Sequence, residues 1–140
     1  MPEHVIKLTL DAFQECKKSI KDSKILVLGI SYKPNVKDIQ LTPAELIIKK
    51  LEELNANVLI YDPYFKSTSV FGIKSEENLE NVFSNVDAAI IVTGHDEFKE
   101  INVSQFNQMT EKILIDTRGI INPISAKQAN LVFRGLGRGY

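Results

Sequence analysis

The segment Lys24-Ile25-Leu26-Val27-Leu28-Gly29-Ile30-Ser31-Tyr32-Lys33-Pro34-Asn35-Val36-Lys37-Asp38 decides how the chain is read. Its apolar run, Ile25 to Leu28, is continuous instead of alternating, as in strands buried on both faces. Gly29 ends the run, and a polar stretch continues to Leu41. That is longer than the roughly 2–6 residues that usually join a strand to a helix. Thr42-Pro43-Ala44-Glu45 then predicts a capping box with Pro at the first helical position. Behind it Ile47, Leu51 and Leu54 form an apolar stripe, while Lys49, Glu52 and Glu53 face water.

Three further apolar runs repeat the first: Val58-Leu59-Ile60-Tyr61, Ala88-Ala89-Ile90-Ile91-Val92 and Ile113-Leu114-Ile115. Polar segments of helical length separate them, and such alternation implies right-handed crossovers and a parallel sheet. Val70-Phe71-Gly72-Ile73 and Leu131-Val132-Phe133 predict weaker edge strands. Ahead of the sheet, Val5, Leu8, Ala12 and Cys16 recur at helical spacing. Lys17, Lys18 and Lys21 follow near the C-terminal end of that helix, where cations suit the dipole. Its seam is one-sided, so its packing partner is expected outside this chain. The fold class is α/β: a three-layer, Rossmann-like parallel sheet with an N-terminal helical extension.

Composition fits that reading. The chain has 140 residues, 44% apolar and 25% charged, with 7 Gly, 5 Pro and one Cys. This suits one packed domain and argues against disorder. A lone cysteine forms no intrachain disulfide, and no CxxC marks a structural zinc site. No apolar run nears the roughly 20 residues of a membrane span. The start shows no signal peptide, so the expected compartment is the cytoplasm. Net charge is −1 but uneven: residues 1–117 carry 13 basic and 18 acidic side chains. Residues 118–140 carry Arg118, Lys127, Arg134 and Arg138 and no acid. This tail is either a solvated face or a surface for an anion; without interleaved aromatics it is no nucleic-acid surface.

In open parallel sheets ligands bind beyond the carboxyl ends of the strands. Four segments sit there: residues 29–41, Asp62-Pro63-Tyr64-Phe65, Thr93-Gly94-His95-Asp96 and Asp116-Thr117-Arg118-Gly119. The first lacks GxGxxG, so the dinucleotide fingerprint is absent. It offers Tyr32, Lys33 and Asp38 instead. Lys33 either holds a phosphate, helped by the helix dipole beginning at Thr42, or pairs with Asp38 to pin the loop. Arg118 either grips an anion in bidentate fashion or bridges Asp116 or Asp62. Asp62-Pro63 reads as a structural turn. His95, Asp96 and Glu97 are adjacent and do not converge on a metal. Cys16 and His4 lie about 18 Å apart along a helix, beyond nucleophile–base reach. Asn102-Val103-Ser104 matches a glycosylation sequon, which a cytosolic chain would not use. No catalytic group and no metal site is identified. A dispersed Ser/His/Asp arrangement, as in a hydrolase, stays open.

The segment from Lys24 to Asp38, followed by Thr42-Pro43, resembles the start of the C-terminal domain of the UDP-glucose/GDP-mannose dehydrogenase family. Ala56-Asn57-Val58 through Tyr61-Asp62-Pro63-Tyr64 is similar to the family's next strand and turn. Residues 87–98, ending Thr93-Gly94-His95-Asp96-Glu97-Phe98, match its third, and Asp116-Thr117-Arg118-Gly119 its fourth. Gly135-Leu136-Gly137-Arg138-Gly139 is like its glycine-rich close. Met1-Pro2-Glu3-His4-Val5 resembles the end of its central helix, particularly in the branch that oxidises UDP-N-acetyl-mannosamine.

The resemblance implies an NAD-dependent UDP-sugar 6-dehydrogenase. Such enzymes take the C6 alcohol to a uronate with two NAD per turnover, through a thiohemiacetal on a cysteine. It also implies residues 1–22 as the end of a central or linker helix and 23–140 as the UDP-sugar-binding domain. Tyr32, Lys33, Asp38 and Arg118 would be substrate-binding. Gln40 stands where the family has an NAD-facing arginine, a lost charge that weakens direct cofactor contact. The N-terminal NAD-binding domain and the central dimerisation domain, which carries the cysteine, lie outside this chain, and the full enzyme is a homo-oligomer. Alone, the chain is expected to be inactive. The helix starting at Met1 favours a piece of a longer protein. The rival, favoured by Gln40, is a non-catalytic nucleotide-binding or assembly module.

Overall fold

A computed structural model describes residues 2–39 and 42–135 of the chain. Its centre is a five-stranded sheet formed by β1 (Lys24–Leu28), β2 (Asn57–Tyr61), β5 (Ala88–Ile91), β6 (Ile113–Asp116) and β7 (Val132–Gly135). The order is β2-β1-β5-β6-β7, and every neighbouring pair is parallel. Residues 25–28 pair with 58–61 on one side and with 88–91 on the other.

The continuous apolar runs are explained by the two cores they serve. Ile25, Val27, Ala88, Ile90, Ile113 and Ile115 point into one core, beneath α1 (Pro2–Glu15) and α2 (Ala44–Glu53). Leu26, Leu28, Ala89, Ile91 and Leu114 point the opposite way. That second core is closed by Phe83, Phe98, Phe106 and Ala126 from short 3-10 turns, α3 (Asp96–Lys99) and α4 (Pro123–Gln128). Each buried branched side chain contributes about 1.5–3 kcal/mol, so a polar residue on either face of β1 or β5 would cost the fold dearly.

Several expectations need correction. The N-terminal helix does not need a partner outside the chain, because it packs on α2, β6 and β7. Its buried face is wider than the predicted seam: Val5, Ile6, Thr9, Ala12 and Phe13 are buried. The helix ends at Glu15, so Cys16 and the three lysines lie beyond its last turn. Lys18 instead reaches Asp87 at 3.8 Å and Glu111 at 3.6 Å. The basic tail is not wholly solvated. Arg134 on β7 pairs with Asp11 at 3.2 Å and with Glu15, tying the edge strand to α1.

Helix α2 starts at Ala44, later than the capping box predicts, although the Thr42 hydroxyl accepts from the Ala44 N–H at 3.2 Å. The run at 70–73 is not one edge strand but the turn of a hairpin, β3 (Ser69–Val70) with β4 (Ile73–Lys74). Phe71 (φ 52°) and Gly72 (φ 80°) both take left-handed conformations, as a tight two-residue hairpin loop requires. The edge strand predicted near Leu131 is present as β7. Asn102 of the apparent sequon caps a 3-10 turn: its side chain accepts from Ser104, and Gln105 reaches back to its N–H. Among the described residues no helix is long and apolar enough to cross a membrane.

Candidate functional site

The strand order changes direction between β1 and β5, the switch point at which open α/β sheets bind ligands. There the loop after β1 crosses the loop after β5. Gly29 (φ 90°) permits the crossing: a Cβ on it would stand 2.4 Å from Thr93 Cβ. The Thr93 hydroxyl donates to the Ser31 carbonyl at 2.6 Å, joining the two loops.

Beneath them lies a buried polar hub. Asp62, at the end of β2, is fully buried, and its carboxylate has three donors. Oδ2 accepts from the Ile30 N–H at 2.9 Å and from His95 Nε2 at 2.8 Å. Oδ1 accepts from the Tyr64 N–H at 2.9 Å. His95 is fully buried too, and its Nδ1 accepts from the Asn35 N–H at 2.8 Å. A backbone N–H can only donate, so Nδ1 carries no proton and Nε2–H is the donor to Asp62. Asn35 (φ 61°) completes the loop by accepting, through Oδ1, from the Asp96 N–H at 3.0 Å.

A dispersed Ser/His/Asp group does assemble here, but in the wrong order for nucleophilic catalysis. Ser31 Oγ lies 3.4 Å from His95 Nε2, the nitrogen already facing Asp62. A catalytic histidine needs the carboxylate on one nitrogen and the hydroxyl on the other. Moreover Ser31 is fully buried and its hydroxyl donates to the Lys33 carbonyl at 2.8 Å.

Above the hub the surface carries cations and aromatics. Arg118 does not bridge to Asp116 or Asp62. Its Nε donates to the Val92 carbonyl at 2.7 Å and a terminal nitrogen donates to the Tyr32 carbonyl at 3.3 Å. The guanidinium stands over the Tyr32 ring, 5.8 Å from its centroid. Asp116 is occupied with backbone instead, accepting from the N–H groups of Arg118, Gly119 and Ile121 at 2.8–3.0 Å. Among the described residues no carboxylate neutralises Arg118. Lys33 is exposed beside Tyr32, and the alternative ion pair between Lys33 and Asp38 does not form. Asp38 is exposed farther along the loop. Tyr64, 39% exposed, lies against the His95 ring at 5.1 Å.

Tyr32 and Arg118 are therefore brought together, with Lys33 next in the chain. Gln40 and Arg138 lie outside the described residues. Sequence reading missed the Asp62–His95–Asn35 network, since Asp62-Pro63 looked like a turn and His95 like a poor metal ligand. The signal available was two polar residues closing consecutive buried strands. The space beside Gly29 at the end of β1 is taken by Thr93. Among the described residues no group of three His, Cys, Asp or Glu side chains could hold a metal. Two concavities, of about 410 and 420 Å³, lie elsewhere. One is lined by Glu77, Glu80, Glu97 and Glu100, and its charge would repel an anion. At its edge Tyr61 donates to Glu97 at 2.6 Å; burial first and this bond second raise the phenol above its ordinary range.

Known proteins resemble the chain over nearly all of its length. A model of the UDP-glucose/GDP-mannose dehydrogenase family, UDP binding domain, matches residues 26–123. The UDP-N-acetyl-D-mannosamine dehydrogenase of Pyrococcus horikoshii is 32% identical over 99% of this chain and 31% of its own length. The solved structure of that enzyme superposes with a TM-score of 0.85. A Methanosarcina mazei NDP-N-acetyl-D-galactosaminuronic acid dehydrogenase superposes at 0.89, with 27% identity over 99% of this chain and 29% of that one. The UDP-glucose 6-dehydrogenase of Bacillus subtilis is 29% identical over 86% of the chain and 27% of its own length. The chain thus spans about a third of the length of the curated relatives it matches.

Proposed function

We propose that this chain, which belongs to the UDP-glucose/GDP-mannose dehydrogenase family and matches its UDP binding domain, binds the UDP part of a nucleotide-sugar at the switch point of its sheet. The observation that carries the reading is the Tyr32–Arg118 stack with Lys33 beside it. An exposed aromatic supplies a face for a ring, and two cations with no carboxylate partner among the described residues suit a diphosphate. Asp38 belongs to the same loop and is assigned to the substrate side with them.

In the whole protein this domain would serve an NAD-dependent oxidation of the sugar C6 alcohol to a uronate. The cysteine and the NAD site would come from an N-terminal cofactor-binding domain and a central dimerising domain. Residues 1–22 form the end of the linker helix and 23–140 the UDP-sugar-binding domain. The relatives named above favour an N-acetylated UDP-hexosamine, a homo-oligomeric enzyme is part of the same reading, and the cytoplasm is its setting.

Calorimetric titration of the purified chain tests this. UDP is expected to bind weakly, since half of the site lies in other domains, and NAD scarcely at all. Lys33→Ala and Arg118→Ala should each weaken UDP binding about tenfold or more, the scale of a lost charge-assisted hydrogen bond. UDP binding indifferent to both substitutions overturns the site. NADH formation by the chain alone overturns its assignment as catalytically incomplete.

A further inference from the structure

We propose that His95 is a positioning residue, a buried latch whose Nδ1 holds the loop of residues 31–35 in its ligand-accepting shape. The inference rests on the reading that Tyr32 and Lys33 meet UDP. Tyr32 and Lys33 have exposed side chains; their carbonyls accept from Arg118 and from the Ser31 hydroxyl, and the loop is fixed at both ends as well. Its start is set by Ser31, whose carbonyl accepts from Thr93. Its far end is set by Asn35, whose N–H donates to His95 Nδ1 and whose Oδ1 accepts from the Asp96 N–H. The ring cannot turn away. Nε2–H is committed to Asp62, and Tyr64 and Phe98 flank the imidazole at 5.1 and 5.5 Å.

The two nitrogens therefore do different work. Nε2 satisfies a buried carboxylate and serves stability, whereas Nδ1 serves the loop. Two substitutions separate them. In His95→Asn the amide oxygen can reach the Nδ1 position, but Asp62 loses its side-chain donor and keeps only the N–H groups of Ile30 and Tyr64. In His95→Gln the amide nitrogen can reach the Nε2 position, but the Asn35 N–H loses its acceptor.

The experiment combines calorimetry with UDP, thermal unfolding, and nitrogen NMR of the full chain. His95→Gln is expected to weaken UDP binding about three- to tenfold, the scale of one lost hydrogen bond, and to speed exchange of the Asn35 amide. His95→Asn should stay within about twofold in affinity yet melt at the lower temperature, because it takes one of three donors from a buried carboxylate. Affinity and stability then rank the two variants in opposite orders, which a merely structural histidine would not produce. Full affinity in folded His95→Gln, or affinity losses that follow the melting temperatures, overturns the latch. So does an imidazole spectrum of the unsubstituted chain showing the proton on Nδ1, a measurement that needs no variant to fold. Failure of the unsubstituted chain to bind UDP refutes the UDP reading, and the ligand role of the latch with it. Asn35 amide exchange in the variants still reports whether the loop is held by His95.

Discussion

Replacing Gly29 with alanine probes the point where the loop after β1 passes the loop after β5. Gly29 has φ 90°, and an added Cβ would stand 2.4 Å from Cβ, 2.6 Å from Oγ1 and 2.9 Å from the backbone N of Thr93. Thr93 has little freedom to yield. Its hydroxyl donates to Ser31 at 2.6 Å, and its N–H donates to the Leu28 carbonyl at 3.3 Å. Two costs add. A left-handed backbone costs an L-residue about 1–2 kcal/mol, and forcing a methyl into occupied space costs about 1–3 kcal/mol more. Gly72 supplies the control, since it has φ 80° but nothing within 4 Å of its added Cβ. Gly72→Ala should therefore show the backbone cost alone. Urea unfolding followed by circular dichroism measures both variants, with equal m-values confirming that the native and unfolded states are unchanged in extent. The expected excess for Gly29→Ala is about 1–3 kcal/mol, or about 2–8 °C in melting temperature for each kcal/mol. Equal losses at the two glycines would refute the crowding argument.

Two further outcomes concern the packing around the sheet. Tyr61 keeps its phenol proton in the folded protein because burial and the bond to Glu97 raise its pKa, whereas the unfolded chain loses that proton near pH 10. Unfolding then releases a proton, so stability present below about pH 10 falls as pH rises further. Tyr61→Phe should cost about 1 kcal/mol at pH 7 and flatten that alkaline decline in urea midpoints; an unchanged slope counts against the assignment. Arg134→Met keeps the stem but removes the ties to Asp11 and Glu15. It should cost about 1 kcal/mol in dilute buffer and less in 1 M salt, where exposed charges are screened; a loss insensitive to salt would show that the ion pairs contribute little.

The sheet was legible because its signal is local. Four continuous apolar runs separated by polar segments admit few arrangements other than a covered parallel sheet. The hairpin at 69–74 was less so: Val70-Phe71-Gly72-Ile73 carries a turn inside what looks like one short apolar run. For the N-terminal helix, a stripe of spacing shows that a face is buried but not what buries it. The partners are α2 and, about a hundred residues or more away in the chain, β6 and β7.

At the site, sequence alone determined that Tyr32, Lys33 and Arg118 stand on loops beyond the carboxyl ends of two strands, β1 and β6. Whether Arg118 would spend its charge on Asp116 was a matter for tertiary structure, because backbone N–H groups at 118, 119 and 121 satisfy that carboxylate first. The same holds for His95 and Asp62. They are 33 residues apart and meet only because β2 and β5 flank β1 in one parallel sheet, which brings their carboxyl ends to a common edge. A buried hydrogen bond between distant residues leaves no periodicity in the sequence. Its partners are chosen by strand order, and strand order is decided by how the two apolar faces of the sheet are covered.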